Sequence, residues 1–136
     1  METRLRVRYA ETDAQGIAYH SNHLVWFEVA RTELFRQNVG DSPGAFFRVY
    51  GMPVVEAAVR YHAPCRYDDE LVISIVASQI RSRSIRFEYS IRCGGSMVSE
   101  GHTVHLCVDS GGAPCRIPAA VREALGQEEK PGDACG

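Results

Sequence analysis

The stretch NHLVWFEVARTELFRQN, residues 22–38, constrains this chain more than any other. Ser21 or Asn22 can cap its start by accepting a backbone N–H, and Gly40 stands where a C′ glycine ends a helix. The spacing predicts one helix over 22–38, about 25 Å long. Its first half, Leu24, Val25, Trp26, Phe27, Val29 and Ala30, is apolar nearly all round, whereas a surface helix carries a single apolar stripe. Such a helix is expected to be buried on several sides, so the rest of the chain must supply a layer that wraps it. The second half, with Arg31, Glu33, Arg36 and Gln37, is wetter.

The remainder reads as strands. In RLRVRY, residues 4–9, Leu5, Val7 and Tyr9 alternate with Arg4, Arg6 and Arg8, the period of a half-buried strand. A loop with Pro43, Gly44 and Gly51 follows the helix, and four more strand-like segments lie at 54–62, 70–80, 84–92 and 98–108. The segment 84–92 is the clearest, with Ile85, Phe87, Tyr89 and Ile91 on one face. Short turns, RSRS and CGGS, join the last three segments and favour antiparallel hairpins. One strand, one long helix and four antiparallel strands make an α+β domain over 1–125, a sheet wrapped around one central helix. Such a sheet keeps an edge and a face that need cover, so a homo-oligomer is expected. The tail 126–136, GQEEKPGDACG, has few apolar residues and is expected to be disordered.

Composition narrows the function. With 136 residues the chain is the size of one domain, and a net charge of −2 gives no general attraction to nucleic acid or membrane surfaces. No apolar run approaches the length of a membrane span, and METRLRVRYAETD lacks the apolar core of a secretory signal. Five cysteines, none in a C-x-x-C pair, fit reduced thiols in a cytoplasmic protein. His20/His23 and His102/His105 are H-x-x-H pairs without a third ligand, and in a strand such a pair points to opposite faces. Neither metal nor cofactor is expected.

Chemistry concentrates in ETDAQGIAYHSNH, residues 11–23, where Asp13 precedes a Gln-Gly turn just ahead of the helix. From the residues alone two readings stand. Asp13 makes an Asx-turn, or it aims an acid at a helix start whose free N–H groups and dipole would stabilise an anion. Glu28 and Arg31, three apart, read as an intrahelical ion pair, with Glu28 a reserve carboxylate.

The run from Tyr9 to His23 resembles the signature opening the hotdog-fold thioesterases of the 4-hydroxybenzoyl-CoA thioesterase family, and within it the Tol–Pal-associated acyl-CoA thioesterases. Trp26-Phe27-Glu28-Val29-Ala30-Arg31 continues the match on the helix. YHAPCRYDDELVI at 61–73 extends it, as does Leu106-Cys107-Val108-Asp109 followed by GAPCRIP, so the resemblance spans about 4–122. Cys65 stands where the family usually has alanine, and His23 where it usually has an aromatic residue.

The resemblance implies a hotdog fold and metal-free hydrolysis of a small or medium acyl-CoA, aliphatic or aromatic. It makes Asp13 the nucleophile or general base and the His20 backbone N–H the oxyanion donor. The His20 side chain and Tyr9 assist with protons or orientation, and Tyr19 and Asn22 contact substrate. It also places Arg81 and Arg83 near the phosphates, and Ser82 and Ser84 near the pantetheine, of a CoA bound by a neighbouring subunit. The assembly is then a homodimer or a tetramer, a dimer of dimers. Trp26, Phe27 and Phe35 would give the acyl pocket an apolar wall. The alternatives are a non-catalytic acyl-CoA-binding protein and a thioesterase acting on acyl carrier protein.

Overall fold

The computed structural model describes residues 1–40 and 46–126; Pro43, Gly44 and the tail from 127 lie outside them. Its elements are β1 (Glu2–Arg6), α1 (Asn22–Asn38), β2 (Val54–Tyr61), β3 (Glu70–Ile80), β4 (Ser84–Cys93), β5 (Ser96–Leu106) and α2 (Ala119–Leu125). The strands form one antiparallel sheet in the order β1-β3-β4-β5-β2. β3, β4 and β5 are the hairpins that the short turns demand. β2 lies beyond β5 at the far edge, so residues 62–69 must cross the end of the sheet to begin β3.

α1 covers one face of this sheet. It buries His23, Trp26, Phe27, Ala30, Leu34 and Phe35, positions three and four apart on one side of a helix. Across from them β4 turns in Ile85, Phe87, Tyr89 and Ile91, all buried. The Phe27 ring lies flat on Tyr89, centroids 4.2 Å apart and planes 6° apart. Gly101, opposite Tyr89, permits that approach. A Cβ there would meet Phe27 Cε2 at 3.0 Å and the Ala58 carbonyl oxygen at 2.2 Å.

A directional polar chain runs beneath the apolar contacts. Arg31 donates to the Tyr89 hydroxyl at 3.0 Å, and that hydroxyl lies 2.7 Å from Thr103 Oγ1. Thr103 Oγ1 in turn is 2.8 Å from His105 Nε2, and His105 Nδ1 is 2.8 Å from the Met52 carbonyl oxygen. A carbonyl only accepts, so the His105 proton sits on Nδ1 and Nε2 accepts from Thr103. Every proton in the chain then points from helix to loop.

Several expectations need correction. α1 is buried on one side, not several: Leu24, Val25 and Val29 are exposed, as are Val54 and Val55 on β2. Arg31 is committed to Tyr89, and among the described residues Glu28 forms no ion pair with it. Ser21 is already helical at φ −67°, ψ −20° and makes no side-chain cap. Gly40 does end the helix, at φ +96°. Tyr9 is not on β1, whose pairing stops at Arg6. The chain there turns into a short 3-10 segment, Tyr9–Glu11, because the Glu11 carboxylate accepts the Arg8 N–H at 2.7 Å. Trp26, Phe27 and Phe35 belong to the sealed core.

Candidate active site

Residues 12–18 form a tight loop closed by a bridge between Thr12 and Ala18. The Asp13 N–H donates to the Ile17 carbonyl at 2.9 Å, and Gly16, at φ +80°, returns its N–H to the Asp13 carbonyl at 3.0 Å. Asp13 Oδ1 accepts the Gln15 N–H at 2.8 Å, so the Asx-turn is real. Oδ2 takes no hydrogen bond among the described residues. One carboxylate oxygen holds the loop and the other is free among the described residues.

Glu11 fixes this loop against the helix. Its buried carboxylate accepts from Arg8 N–H at 2.7 Å and from Trp26 Nε1 at 2.9 Å. Its backbone carbonyl accepts the Tyr19 N–H at 2.8 Å and the Asn22 side-chain amide at 2.9 Å. Asn22 is therefore held by the loop carbonyl and positions the helix start. The sequence reading did not single out Glu11, since a lone carboxylate two residues before Asp13 carries no pattern of its own.

At the helix entry the backbone donors can be followed one by one. Ala18 N–H goes to Cys65 O, Tyr19 to Glu11 O, Asn22 to Tyr19 O, His23 to His20 O and Leu24 to Ser21 O. Among the described residues, only the His20 and Ser21 amides in this run have no backbone acceptor. The Tyr61 hydroxyl donates to the His20 carbonyl at 2.8 Å, tying edge strand β2 to this point.

Asp13, His20, His23, Tyr61 and Cys65 line one open cavity of about 500 Å³. His23 is buried, and burial, with the neighbouring His20 charge second, lowers its pKa to about 4. Its ring is clamped by Trp26 and Tyr61, each 4.8 Å away between centroids, and Nδ1 lies 2.7 Å from Ser99 Oγ. Burial, followed by the charge of Asp69, pushes the Cys65 thiol up to about 11, so it is a protonated wall rather than a nucleophile. Tyr61 and Ser99 pair across β2 and β5, a register invisible in the sequence.

Other expected site residues do not line this cavity. Tyr9 is 76% exposed and packs edge-on against Tyr67, 5.7 Å away. Tyr19 is exposed beside the His20 ring. Arg81, Ser82, Arg83 and Ser84 form the β3–β4 turn at the opposite end of the sheet. Ser84 pairs with Leu106, whereas Ile91 pairs with Ser99 at the cavity end. Seven residues of strand separate them, about 23 Å. His102 and His105 do face opposite ways, His102 outward onto Glu56 at 2.6 Å. The described residues contain no cluster of three metal ligands, and no described helix is long and apolar enough to cross a membrane.

Comparison with known proteins agrees with this architecture. The model of the thioesterase-like superfamily matches residues 7–125. An acyl-CoA thioester hydrolase, YbgC, of Escherichia coli is 31% identical over 106 residues, 77% of this chain and 79% of its own. The acyl-CoA thioesterase YbgC of Haemophilus influenzae is 31% identical over 123 residues, covering 89% and 90%. A solved gentisyl-coenzyme A thioesterase superposes with a TM-score of 0.84 at 26% identity, covering 92% of this chain and 99% of that one.

Proposed function

The chain belongs to the thioesterase-like superfamily and is an enzyme of hotdog fold, and we propose that it hydrolyses acyl-CoA thioesters with Asp13 as its catalytic carboxylate. The observation that carries this reading is the pairing of an unengaged Asp13 Oδ2 with an unengaged His20 N–H on one cavity. The thioester carbonyl oxygen accepts from His20 N–H at the positive end of α1, where charge developing on that oxygen is stabilised. Asp13 then attacks the carbonyl carbon, or takes a proton from a water that does. The CoA sulfur leaves as a thiolate and takes a proton from the His20 side chain. Where Asp13 itself attacked, water then cleaves the mixed anhydride left on it, releasing the free acid, restoring the carboxylate and returning a proton to His20.

The active unit is a homodimer or a tetramer built as a dimer of dimers. Support comes from the unpaired edge of β2 with exposed Val54 and Val55, and from the exposed Leu24, Val25 and Val29 of α1. Only a second copy could bring an 81–84 turn to this cavity, given the separation within one chain. There Arg81 and Arg83 would meet CoA phosphates, and Ser82 and Ser84 the pantetheine.

Thiol release from a panel of aromatic and aliphatic acyl-CoAs, by wild type and Asp13→Asn side by side, tests the assignment. The variant keeps the Asx-turn oxygen but loses the charge, and kcat falls about 10²–10⁴-fold. Near-full activity in the variant would return Glu28 to consideration.

A further inference from the structure

The unused group at this cavity is His23 Nε2. Among the described residues it has no hydrogen-bond partner, although the whole residue is only 3% exposed. Every sealed side-chain nitrogen and oxygen among those residues is paired, so an unpaired Nε2 must open onto the cavity its ring lines. The proton can be placed. Ser99 is fully buried, and among the described residues its hydroxyl has His23 Nδ1 as its one hydrogen-bond neighbour. Were Nδ1 to carry the proton, the Ser99 hydroxyl hydrogen would be buried without an acceptor. Ser99 therefore donates to Nδ1, and the ring proton sits on Nε2. The ring is neutral because burial holds its pKa near 4. Between Trp26 and Tyr61 it cannot turn aside. His23, in the first turn of α1, follows His20 by three residues, and both line the same cavity.

We propose that His23, locked by Ser99, is a specificity-determining residue whose Nε2–H donates to an acceptor oxygen on the acyl group, so that the enzyme favours hydroxy- or oxo-acyl thioesters over plain hydrocarbon ones. The inference rests on the acyl-CoA thioesterase reading. In that reading CoA runs outward to the 81–84 turn of a second copy, which leaves the acyl portion as the part of the substrate that faces His23. A hydrocarbon acyl group strips water from Nε2–H and returns nothing, whereas an oxygen at that point replaces the water. Sites that hydrogen-bond a substrate group discriminate strongly against the analogue lacking it.

The test is kcat/KM on matched pairs: benzoyl-CoA against its 2-, 3- and 4-hydroxy derivatives, and butyryl-CoA against 3-hydroxybutyryl-CoA. In wild type at least one oxygenated member is favoured about tenfold or more over its parent. In His23→Phe that ratio falls to about one, whatever happens to the absolute rate. Ser99→Ala, a smaller change that releases the ring, lowers the ratio in part. Equal rates for every pair in wild type, or an unchanged ratio in His23→Phe, overturn the inference and leave the thioesterase reading intact. A uniform loss on all substrates with the ratio preserved also overturns it, because His23 would then be serving the thioester itself. Failure to hydrolyse any acyl-CoA overturns both.

Discussion

His23 and His105 sit at two ends of the same helix–sheet interface, 3% and 1% exposed, and burial lowers both to about 4. They differ in their second nitrogen. His105 spends both, on Thr103 and on the Met52 carbonyl. His23 spends one on Ser99 and leaves the other at a cavity that also holds Asp13. A fully satisfied buried imidazole specifies packing, and a half-satisfied one on an open cavity, beside a carboxylate with a free oxygen, is available to a ligand.

The contrast can be broken by substitutions at either end. The largest expected effect is that of Asp13→Asn, a loss of about 10²–10⁴-fold in kcat with thermal stability unchanged. At the other end His105→Leu leaves Thr103 and the Met52 carbonyl without their partner. It should cost about 1–3 kcal/mol in urea unfolding, with activity per folded molecule retained. Loss of activity out of proportion to folding would show that the two ends are not separable.

The pH dependence sharpens the same comparison. Both histidines have folded-state pKa values near 4, below the ordinary 6.5, so the unfolded chain binds their protons first. Their contribution is complete above pH 6.5 and is lost progressively as pH falls from there toward 4. Denaturation midpoints at pH 7, 6 and 5 should decline, and His105→Gln should flatten part of that decline. An equally steep fall in the variant would assign the loss to other groups. The smallest effect is expected for Tyr61→Phe. Removing one hydrogen bond from the His20 carbonyl, worth about 1 kcal/mol, lowers kcat about fivefold with KM held. A change confined to KM would place Tyr61 on the substrate instead.

What could be read in advance follows the range of each signal. The bounds of α1 and the inward faces of β4 come from periodicities a few residues long, and they match the sequence reading closely. The place of β2 beside β5 depends on a crossing that no local pattern encodes, and with it went Tyr61 and Ser99. Tyr9 misled for the opposite reason. Its alternation with arginines was intact, but pairing with β3 ended at Arg6 and Glu11 drew the backbone into a turn. Asp13 and His20 were singled out through family resemblance, whereas nothing local in α1 says that Leu24, Val25 and Val29 face outward.

The chain from Arg31 to Met52 has a consequence for the helix as a whole. Apolar contacts tolerate sliding, since one methyl group substitutes for another as a helix rotates or shifts along a sheet. A run of donors and acceptors all oriented one way tolerates neither, because a displaced Arg31 would leave Tyr89, Thr103 and His105 each mismatched in turn. It acts as a phase lock, setting the rotation of α1 about its axis near its middle. The angle at which His23 meets the cavity, about two turns earlier, is inherited from that setting.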